Sequence, residues 1–195
     1  MLSFTGLKIT TACFIHNIQT WEDYVIAENI LKSGNFYYFN DGAVNHSFQF
    51  PVYPVLLSVA LAIYHAPAAG IVLNVLLSMA GCWIFRRNLL LLQKKDWLKL
   101  TSEWINLLSL IPLIHPAFLY YELKNVHPFT HDFLMLNIGI AAVLYLSDRS
   151  SSKPIEGGIM MGLSMLGRGT FIVFPLLSLV ILMYQKAYKK AVNGC

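Results

Sequence analysis

The chain contains few charged residues: 12% of its 195 positions are charged, whereas 56% are hydrophobic, and its mean hydropathy is +0.57. A typical soluble domain has about a quarter of its residues charged. The apolar residues also fall in long blocks and not at the short periods of amphipathic strands and helices. This composition excludes an ordinary soluble domain and predicts a multi-pass membrane protein.

The sequence also lacks the cysteine patterns of disulfide frameworks and zinc sites. Its three cysteines, Cys13, Cys82 and Cys195, are far apart and have no CxxC or Cys/His spacing. Isolated cysteines of this kind are usually small packing residues. The glycine-rich segment 157–169 is not followed by Lys-Ser/Thr, which excludes a nucleotide-binding loop and favours close helix packing.

Several apolar blocks are candidates for membrane segments. The first 18 residues contain Lys8 and no small-residue cleavage site, so they predict an anchor and not a removable signal peptide. A span needs about 20 mostly apolar residues. The blocks that meet this length are Pro67 to Phe85, Leu100 to Leu119 and Phe129 to Leu146. The shorter block Val52 to Tyr64 predicts an interfacial helix.

The positive charges predict the orientation of these segments. Lysine and arginine cluster in residues 86–99 and again at Arg149 and Lys153, and such clusters mark cytoplasmic loops. Segment 157–184 is too long for one crossing and carries Arg168 between two glycines, which predicts two short helices that meet there. The predicted fold class is an all-α polytopic transmembrane bundle with both ends cytoplasmic. Its six membrane segments are 3–18, 67–86, 100–120, 129–147, 156–167 and 170–184.

This topology divides one membrane domain, residues 1–195, into three parts. Residues 19–66 form a large outer loop with interfacial helices, 67–184 form the helical bundle, and 185–195 form a cytoplasmic tail. The acidic residues of the loop and the histidines then lie on the outer side. The basic segment 86–99 adjoins a span, so it indicates orientation and attraction to anionic lipids, and no nucleic-acid partner is expected.

Four sequence pieces, in this order, suggest a family. They are YVIAENILKSGNF, PVYPVLLS, LNVLLSMAGCWIFRR and GGIMMGLSMLGRGTFIVFP. Together they resemble the N-terminal part of a type-C glycosyltransferase, the polytopic class that includes the protein O-mannosyltransferases and the aminoarabinose transferases. The resemblance implies transfer of a sugar from a polyprenyl-phosphate donor to an acceptor at the non-cytoplasmic face, and a C-terminal part that this chain lacks. The alternative is a non-catalytic accessory protein or a truncated remnant of such an enzyme.

The resemblance also implies partners and a location. The expected partners are a lipid-linked sugar donor, membrane lipids and either a partner subunit or the missing C-terminal half. The expected location is the bacterial inner membrane, with the active face outward.

The same resemblance assigns roles to acidic residues. The essential carboxylate at the start of the first outer loop falls on Asp23 or Glu22, and a second acidic position falls on Glu122 or Asp132. Sugar transfer needs a base for the acceptor proton and a cationic or donor group for the leaving phosphate. A divalent cation that bridges a carboxylate to the phosphate is allowed, although its ligands stay unassigned. The competing interpretation is that Glu22 and Asp23 are solvated residues at a helix N-terminus, where the helix dipole favours acids.

Arg168 is the one basic residue within an apolar block, and such residues are functional candidates because their burial is costly. A guanidinium can contact two phosphate oxygens at once, which makes Arg168 a candidate for substrate binding. The alternative is an arginine that extends from a turn to the outer headgroups. A small transporter is disfavoured because other charges are absent from the middle of the predicted spans.

The segment NVHPFTHDF and one aromatic residue complete the predicted substrate-binding set. His127 and His131 share a helix face only if the helix begins by His127, and Pro128 favours a start just after it. Contact with substrate or headgroups, a metal site and simple interfacial polarity all remain open for these histidines. Tyr53 belongs to an aromatic-rich loop that either stacks on a sugar or prenyl chain or forms an interfacial belt.

Overall fold

A computed structural model describes residues 18–40, 43–46, 52–146 and 154–193. Most of these residues are helical, which confirms the predicted helical class. The predicted anchor 3–18 lies almost wholly outside the described residues, and the cysteines at 13 and 195 lie outside them too.

The described elements follow one another in the order of the chain. The first half contains β1 (Gln19–Thr20), α1 (Glu22–Ser33), β2 (Tyr37–Asn40), β3 (Ala43–His46), α2 (Val52–Ile63) and α3 (Pro67–Lys94). The second half contains α4 (Ser102–Ile114), α5 (Pro116–Leu123), β4 (Asn125–Val126), α6 (Phe129–Leu146), α7 (Pro154–Gly167), a 3₁₀ turn (Gly169–Ile172) and α8 (Val173–Asn193).

Two helices, α3 and α6, are long and apolar enough to cross a membrane. Helices α4 and α5 together meet the same test if the bent pair is taken as a single segment. The pair bends by 50° at His115. Pro116 disfavours a helical conformation in the residue before it, and His115 is accordingly extended. The His115 Nδ1 atom accepts a hydrogen bond from the backbone N–H of Ala117 and so caps α5.

The number of six membrane segments is therefore not confirmed. Helix α7 and the apolar part of α8 are each too short to qualify alone, and so is α2. The chain leaves the helical conformation at Arg168, where the two short helices were expected to meet. Helix α3 extends past the predicted end at residue 86 to Lys94, so the basic segment begins on the helix and not in a loop.

Residues 19–66, predicted as an outer loop with interfacial helices, contain strands as well as helices. Strands β2 and β3 form an antiparallel hairpin in which Tyr37 pairs with His46. The sequence carries a signal for it, because an Asp-Gly dipeptide separates the two strands and favours tight hairpin turns. Helices α1 and α2 flank the hairpin in sequence.

A second pair of strands links the predicted outer loop to the connection before α6. Strand β1 is parallel to β4, with Gln19 opposite Asn125 and Thr20 opposite Val126. Val126 is fully buried and packs on α3 at Gly70, where a Cβ atom would lie 2.6 Å from a Val126 methyl group. The missing side chain at Gly70 therefore lets β4, and with it β1, approach the helix closely.

The helix directions follow from contacts along their lengths. Asn74 near the start of α3 bonds to the carbonyl of Asn125, and Asn88 near its end bonds to the carbonyl of Asn137 in α6. Helices α3 and α6 therefore run in the same direction. Helix α7 runs against α6, since Gly157 faces Leu146 and Gly167 faces Met135.

The outer sides of the helices are apolar and exposed. Large apolar side chains that are about half exposed or more occur on α3, α4 and α8, among them Leu76, Trp83, Leu107, Leu176 and Val180. An apolar surface of this extent is unusual for a water-soluble monomer. It agrees with a chain whose helices contact lipid.

Candidate functional site

A cavity of about 580 Å³ opens at the break between α7 and the 3₁₀ turn. The start of α1 and the connection before α6, which the β1–β4 pair joins, also border it. Its walls come from four parts of the chain that are distant in sequence. The lining residues are Trp21, Glu22, Asp23, Tyr53, His127, Pro128, His131, Asp132, Gly167, Arg168, Gly169 and Thr170. Seven of the eight residues proposed from the sequence as catalytic or substrate-binding therefore line this cavity.

Glu22 and Asp23 form the first turn of α1, directly after the β1–β4 pair, so that pairing positions them against the connection before α6. Asp23 is only 2% exposed, which rules out the interpretation of this residue as a solvated helix-terminal acid. Burial and, secondly, the charge of Glu22 raise the pKa of Asp23 to about 7, against the opposing effects of a backbone hydrogen bond and of Arg168. A carboxyl group with this pKa can accept or release a proton near neutral pH.

Arg168 forms an ion pair with Asp132, which lies in the first turn of α6. The Arg168 side chain is 54% exposed, whereas that of Asp132 is 17% exposed. The guanidinium is thus held at the mouth of the cavity by one carboxylate and still faces solvent. The glycines on either side of Arg168 also line the cavity, so the backbone itself forms part of the wall.

His131 is fully buried on the wall of the cavity. Within the described part of the chain neither of its ring nitrogens makes a hydrogen bond, although Nδ1 lies 3.5 Å from Oδ1 of Asp132. Its ring lies against that of Tyr53, with the ring centroids 5.6 Å apart. A buried imidazole with free nitrogens beside a carboxylate is suited to contact a polar ligand.

His127 has a different position, because α6 begins at Phe129 and leaves His127 outside the helix. Its Nδ1 atom accepts a hydrogen bond from the backbone N–H of Phe129 at 3.2 Å, and its ring contacts Trp21 edge-on. Burial, and secondly the charge of Arg168, lower the pKa of His127. His127 therefore caps α6 as a neutral imidazole at neutral pH, and it does not share a helix face with His131.

Tyr53 is part of the cavity wall and not of an interfacial belt, since it is 2% exposed. Its hydroxyl donates a hydrogen bond of 2.9 Å to Oδ1 of Asn74 on α3. The Asn74 amide nitrogen donates in turn to the carbonyls of Tyr121 and Asn125. Through Asn74, helix α3 thus supports both the aromatic wall and the connection before α6.

Three of the residues that build this site were not predicted from the sequence. Asn74 and Asn125 are fully buried, and the Trp21 indole N–H donates to the Asn125 side-chain oxygen at 3.3 Å. An amide within an apolar stretch long enough to cross a membrane is a signal that could have identified Asn74, because polar groups there need partners. Asn125 and Trp21 depend on the strand pairing, which has no local sequence signal.

A second, more apolar groove of about 430 Å³ adjoins the cavity. Both concavities share Asp132, Arg168 and Thr170. The rest of the groove is formed by Phe118, Phe129, Phe133, Leu136 and Phe171. Arg168 therefore stands between a polar cavity and an aromatic groove.

Glu122, the eighth residue proposed from the sequence, does not line the cavity. It is fully buried on α5 next to Tyr121, whose carbonyl accepts a hydrogen bond from Asn74 on α3. This turn of α5 therefore faces the span. Of the two acids considered for the second position, Asp132 is the one on the cavity.

Within residues 18–40, 43–46, 52–146 and 154–193, no group of three His, Cys, Asp or Glu side chains is arranged to hold a metal ion. The cavity carboxylates are hard oxygen donors of the kind that Mg²⁺ takes in ones or twos together with phosphate oxygens. They fit a divalent cation only if a phosphate ligand completes its coordination.

The site and fold together define a helical membrane-type protein with a buried acid, an ion-paired arginine and an aromatic groove at one end of its bundle. The chain matches no protein-family model, no curated protein and no solved structure.

Proposed function

We propose that the chain binds a polyprenyl-phosphate sugar at this site and transfers the sugar to an acceptor hydroxyl at the non-cytoplasmic face. The position of Arg168 carries the proposal, because this guanidinium belongs to both the polar cavity and the aromatic groove. A polyprenyl-phosphate sugar has the same order of parts: a polar sugar, an anionic phosphate and an apolar chain. The sugar would occupy the cavity, the phosphate would contact Arg168, and the first isoprene units would pack on the phenylalanines of the groove.

The chemistry needs a base and a group that stabilises the departing phosphate. Asp23 would take the proton of the acceptor hydroxyl as the acceptor oxygen bonds to the anomeric carbon. The bond between that carbon and the phosphate oxygen breaks, and the polyprenyl phosphate leaves with its negative charge next to Arg168. Arg168 must then exchange part of its contact with Asp132 for phosphate oxygens, which a guanidinium can do because it has five N–H donors.

A divalent cation remains a prediction of the family resemblance. With one or two of the cavity carboxylates and the donor phosphate as ligands, it would supply additional charge stabilisation of the leaving group. The proposed proton transfer and phosphate contact depend only on Asp23 and Arg168.

The groove also supports the alternative of a non-catalytic chain. The groove is lined largely by apolar side chains, and a partner subunit or the expected C-terminal part could cover it instead of a prenyl chain. In that case the chain would still contain Arg168 and Asp132 as an ion pair but would not turn over a donor.

Two measurements on the purified protein test the proposal. The first is equilibrium binding of undecaprenyl phosphate, which contains the phosphate and the chain without a sugar. Arg168→Gln should weaken binding by about tenfold, the effect of one charge-assisted hydrogen bond. Lys124→Gln is the control, because Lys124 is an exposed cation near the site that does not line it. Equal binding by native protein and Arg168→Gln would contradict the assignment.

The second measurement is release of polyprenyl phosphate from a set of polyprenyl-phosphate hexoses and pentoses. The double variant Asp23→Asn/Glu22→Gln should retain undecaprenyl phosphate binding within about twofold and lose turnover by at least about a hundredfold, the usual contribution of a general base. Equal turnover in the native protein and the double variant would remove these carboxylates from the mechanism. Binding without turnover in the native chain would favour the non-catalytic alternative.

A further inference from the structure

The end of the bundle opposite the cavity carries a second concentration of charge. Residues 86–103 contain five cations and two carboxylates. Arg86 and Arg87 are consecutive on α3 and both are exposed. They lie about 19 residues after the start of α3 at Pro67, a rise of about 28 Å, which is close to the thickness of a bilayer core. If α3 enters the bilayer at Pro67, both arginines emerge at the level of the lipid headgroups.

Both guanidinium groups are held by neutral oxygen atoms. The Arg86 Nε atom donates to Oδ1 of Asn106 on α4 at 2.7 Å. Arg87 Nη2 donates to the hydroxyl of Tyr145 near the end of α6. In the described part of the chain neither guanidinium has a carboxylate partner, so there each is positioned by a neutral group.

Aromatic side chains frame these charges. The Arg87 guanidinium lies 5.9 Å from the centroid of the Trp83 ring and 5.6 Å from that of Tyr145. Trp83 precedes Arg87 by one helical turn and is 57% exposed, and Trp104 on α4 is 56% exposed. Exposed tryptophans next to cations are typical of the boundary between lipid chains and headgroups.

We propose that Arg86 and Arg87 bind the phosphate of an anionic phospholipid in the leaflet opposite the cavity. The unused N–H groups of each guanidinium contact phosphate oxygens, and Trp83 lies beside the glycerol and the upper part of the acyl chains. Asn106 and Tyr145 hold the guanidinium groups in place, so the site differs from a diffuse attraction by lysines. The proposal does not depend on the proposed sugar transfer, which uses Arg168 at the other end.

The test compares lipid binding at equal charge. Protein with Trp83 as its single tryptophan (Trp21→Phe, Trp97→Phe, Trp104→Phe) is placed in nanodiscs of phosphatidylcholine that contain phosphatidylglycerol with brominated chains. Bromine quenches the Trp83 fluorescence when this lipid is adjacent. With Arg86 and Arg87 unchanged, brominated phosphatidylglycerol should quench Trp83 fluorescence well above the level given by brominated phosphatidylcholine at the same mole fraction.

Three variants separate the possible causes of this quenching. Arg86→Lys/Arg87→Lys keeps the charge and should weaken the preference by about tenfold, because the lysines lose the fork geometry. Lys94→Gln/Lys99→Gln removes two charges from the same end of the bundle and should change the preference for phosphatidylglycerol by less than about twofold. Arg168→Gln should leave it unchanged, whatever it does to binding at the cavity.

The proposal is overturned if the native protein shows no preference for phosphatidylglycerol. It is also overturned if the two arginine-to-lysine changes have no effect, or if loss of the two lysines has the larger effect. Far-ultraviolet circular dichroism of each variant, compared with native protein, shows whether a weakened preference reflects loss of the fold.

Discussion

At the scale of single residues, Asp23 combines burial with a neighbouring negative charge. In the unfolded chain its pKa returns to the ordinary value of 3.8, whereas in the folded chain it is about 7. Between these values the folded protein binds more protons than the unfolded protein. The contribution of Asp23 to the free energy of unfolding should therefore fall as the pH rises from about 4 to about 7 and remain lower above that range, whereas the lowered pKa of His127 contributes in the opposite sense.

The variant Asp23→Asn should remove this pH dependence, because an amide does not ionise. At pH values above the pKa of Asp23 the variant should be more stable than the native protein by on the order of 4 kcal/mol, a rise in Tm of about 8–16 °C. Thermal unfolding in detergent at pH 5 and pH 8 measures this difference. Glu28→Gln serves as the control, since Glu28 lies on the same helix and pairs with the exposed Lys32. A difference in stability between native protein and Asp23→Asn that is the same at pH 5 and at pH 8 would contradict the prediction.

Asn74 and Asn88 are two buried amides on the same helix with different numbers of partners. Asn74 uses its oxygen and its nitrogen in three hydrogen bonds, to Tyr53, Tyr121 and Asn125. Asn88 donates one bond, and its side-chain oxygen has no partner among the described residues. The two residues therefore offer a matched comparison of a satisfied and a partly satisfied polar group.

Asn74→Leu should destabilise the protein by about 3 kcal/mol, because it leaves the Tyr53 hydroxyl and two carbonyls without their partner. Asn88→Leu should cost less than about 1 kcal/mol, because it also removes a buried oxygen that has no hydrogen bond. Chemical denaturation followed by helical circular dichroism measures both. Similar losses in the two variants would show that the Asn74 network does not stabilise the site.

At the scale of elements, the sequence predicted those features that have a local cause. The apolar blocks predicted two helices long enough to cross a membrane, α3 and α6, and the Gly-Arg-Gly sequence at Arg168 predicted the break between α7 and the following turn. Pro128 favoured a helix that begins just after His127, as α6 does. These features depend on hydrophobicity and backbone preference over a few neighbouring residues.

The parts of the site that could not be predicted from the sequence depend on contacts between residues that are distant along the chain. The β1–β4 pair joins Gln19 and Thr20 to Asn125 and Val126, and two-residue strands have no periodicity to detect. Without this pair, Asp23 and Asp132 could be placed on the same membrane face but not in one cavity. The choice of Asp132 over Glu122 likewise depends on which side of α5 packs against α3.

Gly70 allows β4 to pack on α3, and its replacement tests that contact. A Cβ atom at Gly70 would lie 2.6 Å from Val126 Cγ1, so Gly70→Ala should destabilise the protein by about 1–3 kcal/mol and displace β4. Gly162→Ala is the control, because a Cβ atom there has no neighbour within 4 Å and alanine favours the helix by up to about 1 kcal/mol. Thermal unfolding measures both changes.

A compensating variant makes the prediction more specific. Gly70→Ala/Val126→Ala removes the two Val126 methyl groups, which are the nearest atoms to the new Cβ atom, and should regain part of the lost stability. The contrary outcome is additivity, in which Val126→Ala lowers the free energy of unfolding by the same amount in the Gly70→Ala protein as in the native protein. The two residues would then not interact, and Gly70 would not be what allows β4 to pack closely on α3.

At the scale of the whole molecule, the two ends of the bundle have different chemistry. The cavity lies near the starts of α1 and α6 and the break at Arg168. Arg87 meets Tyr145, which is 13 residues beyond Asp132 on α6, or about 20 Å along that helix. Two arginines with neutral partners therefore stand at the end opposite the acidic cavity. Because lysine and arginine are retained on the cytoplasmic side, this separation predicts that the cavity faces away from the cytoplasm.

Cysteine labelling tests this orientation in intact cells. In a variant without native cysteines (Cys13→Ser, Cys82→Ala, Cys195→Ser), Lys32→Cys on exposed α1 should react with a membrane-impermeant maleimide added outside. Lys99→Cys, at the exposed basic end, should react only after the membrane is permeabilised. The two single-cysteine proteins control for each other, because both substitutions replace an exposed lysine. Labelling of Lys99→Cys from outside, with protection of Lys32→Cys, would place the cavity in the cytoplasm, and a donor presented in the outer leaflet could then not reach Asp23.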